Sequence, residues 1–281
     1  FCWGVNGGTT STDTNGSINS TVQVNQAGGI SIVKFTGNQT AGHTIGHGLS
    51  AKPDMIILKC LDTVRPWYVY HKGVDASNPA HYNLRLNETD ARQDSTTEFN
   101  DTEPTSTVFT LGTASGPNGT NSAYIAYCFH DVAGYQKFGS YAGSGSAVTV
   151  TTGFKPDFVM IKSTSVEWWN ILDSKRDFNK RIYPSENNAE SGASNYMTVT
   201  ATSFTITVTG NDSLNNSGKN FIYWAVAKNV PSNTTLADSF NIELYTGTAA
   251  ARSINGVGFS PDLVWLKARS EDNKWVIGDT I

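Results

Sequence analysis

Charge is scarce in this chain: Asp, Glu, Lys and Arg together make up 16% of the residues, well below the usual quarter. The few cations form no cluster and the formal net charge is −4, so there is no basic face to neutralise a phosphate backbone. Nucleic acid is thereby excluded as an expected partner. No apolar run approaches the length of a membrane span, so no membrane insertion is expected. Cysteine is also short, with three residues, an odd number and too few for a disulfide framework. Cys2, Cys60 and Cys128 sit beside aromatic or aliphatic residues and read as small buried hydrophobes. A signal-peptide pattern is missing too, but the chain starts without Met and reads as an excerpt of a longer one.

What is abundant is Gly, Ser, Thr and Asn. Thr suits pleated surfaces, and Gly and Asn accept turn geometry, so the composition points to short strands joined by polar turns. Seven Trp, eleven Tyr and thirteen Phe within a 38% hydrophobic chain supply enough apolar bulk for packed cores and argue against disorder.

Self-similarity organises the rest. Pro53-Asp54-Met55-Ile56-Ile57-Leu58-Lys59 returns as Pro156-Asp157-Phe158-Val159-Met160-Ile161-Lys162 and as Pro261-Asp262-Leu263-Val264-Trp265-Leu266-Lys267, 103 and then 105 residues on. Gly48-Leu49, Gly153-Phe154 and Gly258-Phe259 precede these phrases, and strands led by Trp67, Trp169 and Trp275 follow them. An aromatic-x-Gly phrase opens each unit, at Phe35, Tyr141 and Tyr245. Ser106 to Leu111 matches Ser203 to Val208, and Ala123 to Phe129 matches Asn220 to Ala225. Phe1-Cys2-Trp3 resembles the tail of that last strand. The expected organisation is therefore the end of a preceding repeat plus a linker at 1–29, full repeats at 30–138 and 139–238, and an incomplete repeat at 239–281. A half-repeat buries no core of its own, so either the polypeptide continues or a neighbouring chain completes it.

Apolar runs of four to seven residues between Gly, Pro, Asn and Asp clusters predict many short strands, with at most a helical turn near Asp173 to Arg181. The continuous runs after each proline suit central strands covered on both faces. Lys59, Lys162 and Lys267 close those runs and read as solvated strand ends. The expected fold class is all-β, as tandem two-sheet β-sandwich domains, with a jelly-roll topology preferred over an immunoglobulin one because no Cys…Trp…Cys spacing is present.

These phrases resemble a repeat of phage virion proteins, especially those of marine phages, that lies in tandem in tail-fibre-like chains. The resemblance covers roughly residues 30–281 and rests on the aromatic-Thr-Gly opening, the Pro-Asp strand, the Trp-led strand running into Asp173 to Asp177, and the turn before the last aromatic strand. The repeat is similar to the concanavalin A-like, laminin G-like jelly rolls, many of which bind glycans or proteins. The resemblance implies an extracellular location on a virion, a fibre or adhesin role, other fibre or tail subunits as partners, a host-surface glycan as ligand, and a homo-oligomer. His71 stands where the other two repeats carry Asp173 and Asp279, a departure that would remove a carboxylate from the first repeat.

Catalytic motifs are harder to find. The Glu-x-Asp-x-x-Glu phrase of related glucanases does not occur, and Glu98 with Glu103 and Glu186 with Glu190 read as solvated loop pairs. Of His43, His47, His71, His81 and His130, only His43 and His47, four apart, have a spacing that would share a metal on a helix, and the surrounding glycines argue for strand or turn. Gly143-Ser144-Gly145-Ser146 is one residue out of step with a nucleophile elbow, and no Gly-rich phosphate loop leads a helix. The expectation is a binding or structural module, not an enzyme. No motif requires a cofactor. By the resemblance calcium is the candidate, held by turn oxygens of Asp62, Asp90, Asp101, Asp212 and Asn216, residue types that turns also favour for conformational reasons alone. For sugar, Trp168 is the extra tryptophan beside Trp169 and the best candidate for an exposed stacking ring, with Asp173 as the accompanying hydroxyl ligand.

Overall fold

Short apolar runs broken by Gly, Pro and Asn give short strands, and the computed structural model, which describes residues 1–210, 212–228 and 240–281, contains 36% strand and 4% helix. The chain is all-β, with several antiparallel sheets arranged as β-sandwiches. In chain order the strands are β1 (Cys2–Trp3), β2 (Ser11–Asp13), β3 (Ser20–Asn25), β4 (Ile30–Thr36), β5 (His43–Gly46), β6 (Met55–Cys60) and β7 (Tyr68–His71). They continue as β8 (Tyr82–Arg85), β9 (Gln93–Asp94), β10 (Val108–Leu111), β11 (Ala123–Phe129), β12 (Gln136–Ala142), β13 (Val148–Thr151) and β14 (Phe158–Ser163). The last are β15 (Trp169–Asp173), β16 (Met197–Val199), β17 (Ser203–Ile206), β18 (Asn220–Val226), β19 (Phe240–Asn241), β20 (Leu263–Leu266) and β21 (Val276–Asp279). The helical turn expected near Asp173 is a 3-10 turn at Ser174–Arg176, with the Asp173 carboxylate accepting from the Arg176 backbone N–H.

Three inner sheets repeat one strand order: β4-β11-β6-β7, β12-β18-β14-β15 and β19-β1-β20-β21. In each, the last aromatic strand lies between the opening strand and the Pro-Asp strand. The third sheet takes that central strand from the other end of the chain, because Cys2 pairs with both Asn241 and Val264, and Trp3 with both Phe240 and Leu263. Residues 1–3 thus complete the third repeat's inner sheet within the same molecule. The segment after them is more than a linker. Val22 and Val24 alternate with polar residues, and β2 and β3 extend the first sheet beyond β4. The second unit's opening strand begins at Gln136, ahead of the boundary expected at 138/139. The expected 238/239 boundary lies outside the described residues.

Equivalent hydrogen bonds confirm the correspondence. The backbone N–H of Asp54 donates to Phe129 O at 2.7 Å, that of Asp157 to Val226 O at 2.8 Å, and that of Asp262 to Trp3 O at 2.8 Å. Each Asp carboxylate then accepts the N–H two residues past that strand: from Asp131 at 2.6 Å, from Lys228 at 2.9 Å and from Val5 at 2.5 Å. The Pro-Asp motif is therefore a staple. Proline starts the strand where no ladder donor is required, and aspartate satisfies a backbone N–H of the departing chain.

The inner faces meet in one aromatic cluster. Trp3 stacks on Trp224 with centroids 5.6 Å apart and also contacts Phe158, Phe240 and Trp265, while Phe129 lies 4.5 Å from Trp224. On the outer face of the first inner sheet lie β5 and β10, whose Ile45, Phe109 and Leu111 close a separate core. The second carries β13, β17 and β16, with Val150, Phe204 and Ile206 packed inward. One expectation about the strand ends fails. Lys162 is fully buried, its Nζ donating to the carbonyls of Ser163 and Ser165, while Lys59 and Lys267 are only partly exposed. All three cysteines are buried and unpaired, as their apolar neighbours suggested.

Candidate functional site

The three units meet at a cleft of about 450 Å³. The first contributes Lys59, Arg65, Trp67 and Asn87, the second the turn Pro184 to Asn187, and the third Trp265, Lys274 and Trp275. Local structure places these groups. Trp67, Trp169 and Trp275 hold corresponding positions, each two residues before the strand residue (Val69, Ile171 or Ile277) that pairs with the Pro-Asp strand. The indole of Trp169 reaches into the first unit and donates to Arg85 O at 2.8 Å, and that of Trp275 reaches into the second and donates to Tyr183 O at 2.9 Å. Trp67 is fixed through its backbone, whose N–H donates to Asn87 Oδ1 at 2.8 Å, and its ring receives the Lys59 ammonium 5.7 Å from the centroid.

Electrostatics at the cleft favour an anion. Lys59, Arg65 and Lys274 face Glu186 among the described lining residues. Arg65, Glu186 and Lys274 make no side-chain hydrogen bond or ion pair with another described residue, so their polar atoms remain available. Burial lowers the Lys59 ammonium from its ordinary value. Trp265 is buried, and its indole N–H has no partner among the described residues.

Sequence reasoning watched Trp67 and Trp275 as possible sugar contacts but gave the recurring tryptophans to the core, read Glu186 as a solvated loop residue, and did not single out Arg65, Asn87 or Lys274. Asn87 and Ser185 hold equivalent places, each accepting the backbone N–H of its unit's tryptophan, Trp67 or Trp169.

Trp168 is exposed, at 42%, with its ring edge-on to Tyr183 at 5.5 Å, while its neighbour Trp169 is buried. Asp173, proposed alongside it, is fully buried at the far end of the same strand. Both its oxygens are occupied by Arg176, one by the backbone N–H and the other by the guanidinium. The structure does not bring Trp168 and Asp173 together, and Asp173 presents nothing to solvent. At the positions that correspond to Asp173, His71 and Asp279 reach adjacent units. His71 Nε2 lies 3.1 Å from Tyr223 O, and Asp279 accepts the Tyr127 hydroxyl at 2.7 Å.

The five calcium candidates are dispersed. Asp62 accepts the Ala123 N–H at 2.6 Å, Asp90 lies 3.8 Å from Arg85, and Asp212 binds Arg181 and the Leu214 N–H, both at 2.9 Å. Asp101 has a left-handed backbone and a buried Oδ1 without a partner among the described residues. Asn216 lies in the turn whose carbonyl accepts from Lys219. Among the described residues no three His, Cys, Asp or Glu side chains gather as a metal site. Two of the four loop glutamates are also less free than expected. Glu103 accepts from Tyr70 and the Ala80 N–H, and Glu190 accepts from Arg269 and Lys180, which hold its carboxyl below the usual range against the opposing effect of burial. No helix among the described residues is long and apolar enough to cross a membrane.

No curated protein and no solved structure matches this chain. A family described as a domain of unknown function (DUF7483) matches residues 1–230 and 235–281, nearly the whole length, and the chain belongs to that family.

Proposed function

We propose that this chain is a glycan-binding module of an extracellular fibre, and that its ligand is an anionic sugar held in the three-unit cleft. The observation that carries the reading is the composition of that cleft: Trp67 and Trp275 beside Lys59, Arg65, Lys274, Asn87 and Asn187. An indole face packs on a pyranose, amides bind hydroxyls, and a cationic rim favours a carboxylate or sulfate. Glu186 is the one carboxylate among the described lining residues, whereas glycoside hydrolysis uses two, so the reading is binding without hydrolysis. The phage-fibre resemblance supports a virion location, a jelly-roll kinship, fibre or tail subunits as partners and a homo-oligomeric assembly.

The test is a glycan array of the full chain, with and without calcium, that includes uronic-acid, sialylated and sulfated sugars. The expected result is saturable binding to acidic glycans, weakened at least about tenfold by Trp67→Ala or Lys274→Glu and unchanged by Trp168→Ala. Binding lost on Trp168→Ala alone would move the site to that exposed ring. A second reading, a structural fibre repeat without ligand, is favoured by the internal use of Asp173, Asp212, Glu103 and Glu190. A folded chain that binds no glycan would establish it in place of the first.

A further inference from the structure

The first and third units meet along one cross-strand row of the first sheet. Gln23, Ile32 and Tyr127 lie side by side on β3, β4 and β11. The end of β21 comes down on this row. Asp279 accepts the Tyr127 hydroxyl, and the next residue, Thr280, places its hydroxyl 3.0 Å from Oε1 of Gln23. Gln23 is fully buried, and its Nε2 has no hydrogen-bond partner among the described residues. A buried amide donor left unpaired is costly, and native chains carry few of them.

Thr280 has a second neighbour. Oδ1 of Asp262 lies 3.1 Å from the same hydroxyl, while Oδ2 is held by the backbone N–H groups of Val5 and Gly7 at 2.5 and 3.0 Å. The carboxylate is almost fully buried, so it is fixed with one oxygen turned to accept the hydroxyl proton. Such an arrangement activates a weak hydroxyl nucleophile: a base within hydrogen-bond reach, and a carbonyl carbon one bond beyond the atom the hydroxyl touches. Among the described residues the other two units lack it. Lys72 holds the position of Thr280 in the first and pairs with Asp54 at 3.2 Å, and in the second Ser174 uses its backbone N–H, which donates to Asp157 O.

We propose that Thr280 and Gln23 form an intramolecular ester, with Asp262 as the base. Oγ1 of Thr280 attacks Cδ of Gln23 as its proton passes to Asp262. The Cδ–Nε2 bond then breaks, and Asp262 returns the proton to the departing nitrogen, which leaves as ammonia. The step needs no oxidant, metal or outside reactant. It removes the orphaned amide and turns a contact between residues 257 positions apart into a covalent bond that ties the end of β21 to β3. Thr280 is exposed, so ammonia has a route to solvent. A chain under tension then carries load through the ester instead of peeling the third sheet from the first. None of these three residues lines the cleft.

The test is the intact mass of the full chain after it has folded. The expected mass lies below that of the sequence by one ammonia, and a digest should yield a branched peptide joining the segments around Gln23 and Thr280. Hydroxylamine, which cleaves esters, should separate the two segments. Thr280→Ser keeps the hydroxyl and should retain the loss. Thr280→Val, at an exposed position that the fold tolerates, and Asp262→Asn should both show the full sequence mass, with far-UV circular dichroism checking that each is folded. The full sequence mass in the folded parent would overturn the proposal and leave an ordinary hydrogen-bond chain in its place. So would an ammonia loss that survives Thr280→Val, which would assign it to an asparagine that closes to a succinimide, such as Asn6 before Gly7. An undiminished loss in Asp262→Asn would overturn the role given to that carboxylate.

Discussion

Replacing Trp3 by alanine tests whether the two ends of the chain form one cooperative unit. Trp3 is almost fully buried, forms two backbone pairings with Phe240 and Leu263, and touches four aromatic rings from the second and third units. Truncating a buried aromatic costs about 3–5 kcal/mol, and rings locked in mutual contact cannot collapse into the vacated space, so a value toward the upper end is expected. That is a large share of the roughly 5–15 kcal/mol that holds a typical domain folded. Trp3→Phe keeps most of the ring and removes an indole N–H that is buried without a partner among the described residues. An orphaned donor costs about 1–3 kcal/mol, which offsets much of the lost volume, so this variant should fall within about 1 kcal/mol of the parent. Urea unfolding of the full chain, followed by far-UV circular dichroism, measures both, with amide exchange in β20 reporting locally. A loss below about 1 kcal/mol for Trp3→Ala, or equal losses for the two variants, would refute the closure argument.

Three further outcomes follow from the same geometry. Alanine at Asp54, Asp157 or Asp262 should cost about 1–3 kcal/mol at each site in denaturant titrations, because each removes the same carboxylate-to-backbone staple, while asparagine should recover part of the loss. Burial lowers the Lys162 ammonium to about 7 from 10.5. Between those values the unfolded chain holds more protons, so stability should rise with pH by up to about 1.4 kcal/mol per unit, and Lys162→Met should flatten that rise. His71 is lowered by burial to about 3 from 6.5. Acidification through that window protonates the unfolded chain first, so stability should fall as pH drops, and His71→Asn should remove that part of the acid dependence in unfolding curves measured from pH 7 to 3.

The spacing of Pro53, Pro156 and Pro261, and the likeness of Phe1-Cys2-Trp3 to Tyr127-Cys128-Phe129, made the repeat and its strands legible without coordinates. Alternation and turn chemistry are local properties, and local properties survive in a linear reading. The resemblance of residues 1–3 to a final strand was equally legible, but its partner was not. Pairing Trp3 with Leu263 spans the whole chain, and no local pattern specifies which of several similar sheets a detached strand enters.

Burial was the other quantity that sequence could not supply. Lys59, Lys162 and Lys267 occupy one position in the repeat, yet Lys162 alone is fully buried. Asp173 was the sugar-ligand candidate because the repeat places a carboxylate at its position in two units, but it is fully buried and its carboxylate is held by Arg176. The cleft is a product of the meeting of three units. Sequence determined the strand, the turn and the repeat, because these depend on neighbours a few residues away. Only the tertiary structure decided which equivalent residues became staples, core or cleft wall, because that depends on which unit each face packs against.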